Sequence, residues 1–263
     1  MSAENDFDSG RTAPPERLKA RLPTAPPEFL EGALVNPGLT PKDLTLCLRN
    51  PGVAGSFIQR VAKNRDWIKS YEVKAAIVLH PRTPRAVAMN LVAYLWWRDL
   101  VRVSDRTALS PPLRRAAERL LTTRMQELAL GERIALARIA SRGVIGALRR
   151  DASPLVVRAL LQNPRLMEED VLAIAVAPGT PGEVLRAVAG EKRWSSRPPV
   201  QKAIARHPET PRAVALRFVH VLSTAALREL LVTPKVHPLV KVAVERLLEK
   251  RGEKPTGGRR RRS

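Results

Sequence analysis

Apolar residues along this chain recur at helical spacing in short runs, with prolines standing between the runs. In residues 111–128, Leu113, Ala117, Leu120 and Leu121 fall on one side, while Arg114, Arg115, Glu118 and Arg119 fall largely on the other. From Pro84 to Leu95, Val87, Leu91, Ala93 and Leu95 mix with small residues on more than one face. No window alternates apolar and polar residues between hairpin turns, so the pattern predicts helices and no sheet. The predicted helices span about 8–16 residues, too short to stand alone in water. They must stack on their neighbours, which is the condition of a helical solenoid.

The prolines follow a rule. NPGLTPKDL (36–44), HPRTPRAVA (80–88), APGTPGEVL (177–185) and HPETPRAVA (207–215) repeat one arrangement: a proline, two residues (three in the first), then a second proline opening an apolar run. A residue before proline avoids the α region, so the first proline ends a helix. Threonine before the second proline is a predicted N-cap, with proline at N1, where its missing N–H costs nothing.

The larger unit of organisation is a duplication. Residues 33–124 align without a gap with residues 160–251, at a constant offset of 127. VKAAIVLHPRTPRAVAMNLV (73–92) and VQKAIARHPETPRAVALRFV (200–219) share 12 of 20 positions. Asn36-Pro37 matches Asn163-Pro164, Pro51-Gly52 matches Pro178-Gly179, and Trp67 matches Trp194. Periodicity and duplication together predict an all-α solenoid over 26–251. Its blocks, 33–124 and 160–251, are joined by further helices in 125–159 as one continuous superhelix. Residues 1–25, rich in proline, and 252–263, which lack apolar content, are expected to be disordered tails.

At HPRTPRAVA, HPETPRAVA and NPRLMEEDVLAIA the chain resembles bacterial HEAT-like repeats, in particular the leucine-rich-repeat-variant type. That type has recurring Asn-Pro and Thr-Pro marks, with Val-Arg pairs in the intervening helix. Val157-Arg158, Val73-Lys74 and Val240-Lys241 match those pairs. The resemblance covers roughly residues 33–251 and implies a right-handed stack of helix pairs with a concave binding surface; it implies no reaction. Some proteins of that type carry an iron–sulfur cluster on an N-terminal cysteine group. This chain has one cysteine, Cys47, within the apolar run Leu44–Leu48, so that feature is not carried over and Cys47 reads as a buried small hydrophobe.

Composition narrows the function classes. A single cysteine excludes a disulfide framework within the chain. HExxH, CxxC, GxSxG and glycine-rich phosphate loops are absent, and no metal or cofactor is expected. The N-terminus MSAENDFDSG is acidic and lacks the apolar core of a secretory signal, and no apolar run reaches the ~20 residues of a membrane span. The cytoplasm is the expected compartment. The net charge of +21 favours polyanionic partners: nucleic acid, an anionic membrane surface or an acidic protein.

His80 and His207 precede equivalent prolines and are expected to serve helix boundaries. Trp67 and Trp194 recur and are expected to anchor helix packing. Arg85 and Arg212, and Arg114 and Lys241, are basic in both blocks. The first pair follows the second proline of the boundary motif, where a cation opposes the helix dipole, so an external or packing role is expected. Trp96, Trp97, Arg98 and Asp99 occur in one block only, opposite Ser223, Thr224, Ala225 and Ala226. The grouping resembles the Trp and Asp that HEAT-like DNA glycosylases place in a basic groove. There it implies stacking on a base and stabilisation of positive charge on a sugar. Arg259, Arg260, Arg261 and Arg262 form a basic arm suited to phosphates. The leading expectation is a non-enzymatic scaffold that binds an acidic protein or peptide. The alternatives are a nucleic-acid binder using the basic body and arm, and a glycosylase-type repair enzyme centred on Asp99.

Overall fold

A computed structural model describes residues 3–252. Among these residues there is no β-strand, and helices pack on their sequence neighbours in order, a solenoid-like all-α arrangement. No described helix is long and apolar enough to cross a membrane. The chain forms two compact units, the first ending at Met125 and the second beginning at Gln126.

The first unit contains α1 (Ala3–Thr12), α2 (Pro15–Arg21), α3 (Pro27–Ala33), α4 (Pro41–Cys47), α5 (Gly55–Lys63), α6 (Tyr71–Leu79), α7 (Arg85–Leu91), α8 (Trp97–Asp105) and α9 (Pro111–Arg124). Short 3-10 turns lie at Trp67–Lys69, Val92–Tyr94 and Met125–Glu127. The second contains α10 (Leu130–Ile139), α11 (Arg142–Leu148), α12 (Pro154–Leu161), α13 (Glu168–Val176), α14 (Gly182–Gly190), α15 (Lys192–Ser195), α16 (Pro198–Arg206), α17 (Arg212–Val219), α18 (Thr224–Val232) and α19 (Pro238–Lys250). In both, alternate helices touch: α1 with α3, α4 with α6, α6 with α8, α10 with α12, α12 with α14 and α17 with α19. The core between them is mostly Leu, Val, Ile and Ala, with Phe29, Phe57, Phe218 and Trp194 as its large aromatic members.

The offset of 127 extends beyond the blocks seen in sequence. It places α1, α2 and α3 opposite α10, α11 and α12. Residues 126–159 are therefore the opening third of the second unit, and residues 3–33 are their counterpart in the first. The expectation of a disordered stretch at 1–25 is corrected here for residues 3–21, which are helical. Each proline pair has a positional role. Pro14 and Pro26 are extended N-caps, and Pro15 and Pro27 take N1. Gly10 and Gly32 let α1 and α3 meet backbone to backbone; a Cβ on Gly32 would lie 1.9 Å from the Phe7 carbonyl oxygen.

The same polar bonds close both units. Asn36 Nδ2 donates to the Gly10 and Ala13 carbonyls, and Asn163 Nδ2 to those of Ala137 and Ala140. Each Asn Oδ1 also accepts a backbone N–H two residues on. Arg124 donates to the carbonyls of Ala93 and Leu95, and Arg251 to those of His220 and Leu222, all at positions 127 apart. Helix-end carbonyls without a helical partner are thus satisfied across helices.

The threonines behave differently from expectation. Thr40 is an N-cap with a full capping box on Asp43, and Pro41 is at N1. For α7, α14 and α17 the N-cap is the proline itself, Pro84, Pro181 or Pro211. Thr83, Thr180 and Thr210 instead donate their hydroxyls backwards, to the carbonyls of Ile77, Ile174 and Ile204. In these tight connections a helix-end carbonyl of the preceding helix lies within reach of the hydroxyl. The hydroxyl therefore closes the old helix rather than opening the next.

Candidate functional site

Within the first unit, α4, α6 and α8 leave an open groove of about 430 Å³. Arg49 lies just past α4, Tyr71 opens α6, Asp99 and Arg102 lie on α8, and Arg106 follows α8. The groove floor is Leu48, Ala75, Ala76 and Leu79. These residues come from successive parallel helices, which is how a stack assembles a site from residues distant in sequence.

Asp99 is the polar centre. Its side chain keeps 15% exposure, and both oxygens are engaged. Oδ2 accepts from the Tyr71 hydroxyl at 2.5 Å, and Oδ1 accepts from Arg102 at 2.9 Å. The Tyr71 oxygen in turn accepts the Trp96 backbone N–H at 3.1 Å, which ties the start of α8 to the start of α6. Burial, followed by donation to Asp99, pushes the Tyr71 hydroxyl up to about 12, so it stays a donor at neutral pH.

His80 borders the groove but is spent on structure. Its Nε2 faces the Asn50 carbonyl at 2.9 Å and its Nδ1 faces the Arg82 backbone N–H at 3.1 Å. A carbonyl only accepts and an amide N–H only donates, so the ring carries its proton on Nε2 and is neutral. Burial lowers its pKa, and the nearby Arg106 and Arg82 add to the effect. His207 repeats both bonds, to the Ala177 carbonyl and from Glu209 N–H. Both histidines serve the helix boundary, as their placement before proline implied.

The second unit holds the same groove at the same positions. Its lining includes Ala175, Val176, Ala203, Arg206, His207 and Thr233, equivalent to Leu48, Arg49, Ala76, Leu79, His80 and Arg106. The shape is duplicated and the chemistry is not. Arg49 becomes Val176, Arg106 becomes Thr233, and Tyr71, Asp99 and Arg102 become Pro198, Ala226 and Glu229.

A second groove, of about 670 Å³, lies on the other side of α6. Lys63, Arg65, Lys69 and Lys74 line it, with Tyr94 at its edge. Tyr94 is 63% exposed with Lys74 Nζ 5.2 Å from its ring centre. Trp96, 67% exposed, stacks on Tyr71 with centroids 4.0 Å apart and planes 15° from parallel. Trp96 is thus a ledge between the two grooves and fills no core gap.

The other predicted residues scatter. Arg98 is exposed and lies over the half-buried Trp97 ring at 5.3 Å. Arg85 and Arg212 are exposed at the first positions of α7 and α17, and Arg114 and Lys241 are half-buried on α9 and α19; none lines either groove. Trp194 is buried and donates its indole N–H to the Leu161 carbonyl at 3.0 Å, whereas Trp67 is only half-buried. Arg259 to Arg262 lie outside the described residues. Sequence reasoning missed Arg49, Tyr71, Arg102 and Arg106. The signal that marks them is the one that marked Trp96, a charged or aromatic residue in one copy facing an unrelated residue in the other. Among the described residues no three His, Cys, Asp or Glu side chains come together as a metal site. No known protein family, curated protein or solved structure matches this chain.

Proposed function

We propose that this chain is a non-enzymatic helical-repeat protein of the HEAT-like, leucine-rich-repeat-variant kind. In the cytoplasm it would hold an acidic segment of a partner protein in the groove across α4, α6 and α8. The observation that carries this reading is the contrast between the duplicated grooves. The first groove keeps an apolar floor and gathers Arg49, Arg102 and Arg106 beside Asp99 and Glu72, whereas in the second Arg206 replaces the floor residue Leu79 and the other lining cation, Lys235, replaces Ala108. Guanidinium groups match carboxylates in a fork geometry, and a groove with an apolar floor accommodates side chains between them. Asp99 holds Arg102 in place rather than acting on a substrate, since Tyr71 and Arg102 occupy its two oxygens. That arrangement favours binding over glycosylase chemistry.

The test is fluorescence anisotropy with a labelled peptide alternating glutamate and leucine. Arg49→Gln combined with Arg106→Gln is expected to weaken binding about tenfold, the equivalent of ~1.4 kcal/mol. Equal affinity for the double variant and the parent would remove the groove from the function.

A further inference from the structure

The first unit carries a second surface that the acidic-peptide groove does not use. It combines aromatic rings and cations in a way neither the fold nor that groove requires. We infer that the Tyr94–Trp96 ledge, with the Lys63, Arg65, Lys69 and Lys74 groove beside it, binds single-stranded nucleic acid.

Tyr71 and Lys74 are three residues apart on α6, so they sit side by side on one face. Trp96 stacks on the first, and Tyr94 lies beside the second. Two exposed aromatic rings, Trp96 and Tyr94, thus stand against the start of α6. Trp96 meets Tyr71 with one face and leaves the rest of its indole in solvent, which accounts for its 67% exposure. The Tyr71 hydroxyl is fixed between Asp99 and the Trp96 N–H, so the ledge is preorganised.

The cations complete the picture. Lys63, Arg65, Lys69 and Lys74 line the adjoining groove with Gln59 and Asn90, amide side chains able to meet base edges. Asp66 pairs with Lys69 at 2.7 Å, and Glu72, across the helix, bonds to Ser70. With Lys69 paired, Lys63, Arg65 and Lys74 keep the groove's charge positive. Bases stacked on aromatic rings beside a cationic track are how single strands are held without sequence reading. A duplex keeps its bases inside and gains only the charge term.

The second unit supplies the internal control. At the same positions it has Gly190, Lys192, Ser196 and Gln201 for the cations, Pro198 for Tyr71, Val221 for Tyr94 and Ser223 for Trp96. The unit folds with the same helices without them. The ledge is therefore an addition to the frame, present in one copy. Its chemistry fits a polyanion with flat apolar bases better than an acidic peptide, which offers no rings to stack.

The test uses the whole chain and labelled oligothymidylate and oligouridylate of about twelve nucleotides, within the span such surfaces cover. A duplex of the same length and an oligoglutamate peptide serve as competitors. Either single strand is expected to bind about tenfold tighter than the duplex. Tyr94→Ala and Trp96→Ala are each expected to weaken it about tenfold, and Trp96→Phe to keep most of the affinity. Both rings are exposed, so thermal melts of these variants should match the parent. The inference is overturned if the alanine variants bind as the parent does, if the duplex binds as tightly as the strands, or if oligoglutamate displaces them with the same dependence on Trp96. The peptide groove is read through Arg49 and Arg106, so either surface can fail without the other.

Discussion

The buried asparagines and histidines, Asn36, Asn163, His80 and His207, are each tied to a helix end. Asn163 is fully buried and makes three bonds, two to carbonyls and one from an N–H. Asn163→Ala leaves those groups unpaired and is expected to cost ~2–4 kcal/mol in urea unfolding. A loss below ~1 kcal/mol would mean water replaces the amide. His80 gives a pH dependence whose sign follows from its lowered pKa. The unfolded chain takes up a proton near the ordinary histidine value, ~6.5, while the folded ring resists because Nδ1 is occupied by Arg82 N–H. Stability is therefore full above that value and falls as the pH drops below it. The melting temperature should be lower at about pH 5.5 than at about pH 7.5, and His80→Gln, which can still donate to Asn50, should reduce the difference. Cys47 is buried and its thiol is pushed up to about 12 by burial alone. It should resist a thiol reagent in the native protein and react on unfolding.

At the scale of helices, much of the architecture was legible, because short periodic runs separated by prolines leave little choice but a stack. The boundaries at His80 and His207 and the cap at Thr40 followed from single residues. Thr83 and Thr210 did not, because whether a hydroxyl opens the next helix or closes the last depends on the connection's geometry. Thr210→Val should cost ~1 kcal/mol by removing the hydroxyl's bond to the Ile204 carbonyl, read by denaturant unfolding. The helices at α1 and α2 were illegible because their sequences are polar and their proline pairs imitate a linker. What holds α1 is the close approach at Gly10 and Gly32, a property of two helices together. Gly32→Ala should push α1 off α3 and expose residues 3–12 to rapid amide exchange; unchanged protection there would show that the helices can part without loss. The groove was half legible. Asp99 and Trp96 stood out as unmatched in the second copy, but Arg49 and Arg106 looked like ordinary solvent-facing arginines until α4, α6 and α8 were set side by side.

Over the whole molecule, duplication separates what the frame needs from what the chain does. Bonds present at both positions of the 127-residue offset, those of Asn36 and Asn163, His80 and His207, Arg124 and Arg251, hold helices together. The recurring basic pair Arg124 and Arg251 thus has a structural use, and the +21 excess need not all face a partner. Residues that differ between the copies, Arg49, Tyr71, Asp99, Arg102 and Arg106, gather on one groove. The account therefore assigns folding to the shared set and binding to the set found in the first unit alone. Amide exchange of the full chain with and without saturating acidic peptide tests this division most directly. New protection is predicted at residues 45–51, 71–80 and 99–106, with none at the matching 172–178, 198–207 and 226–233. Equal protection of both sets, or protection confined to the second, would contradict it.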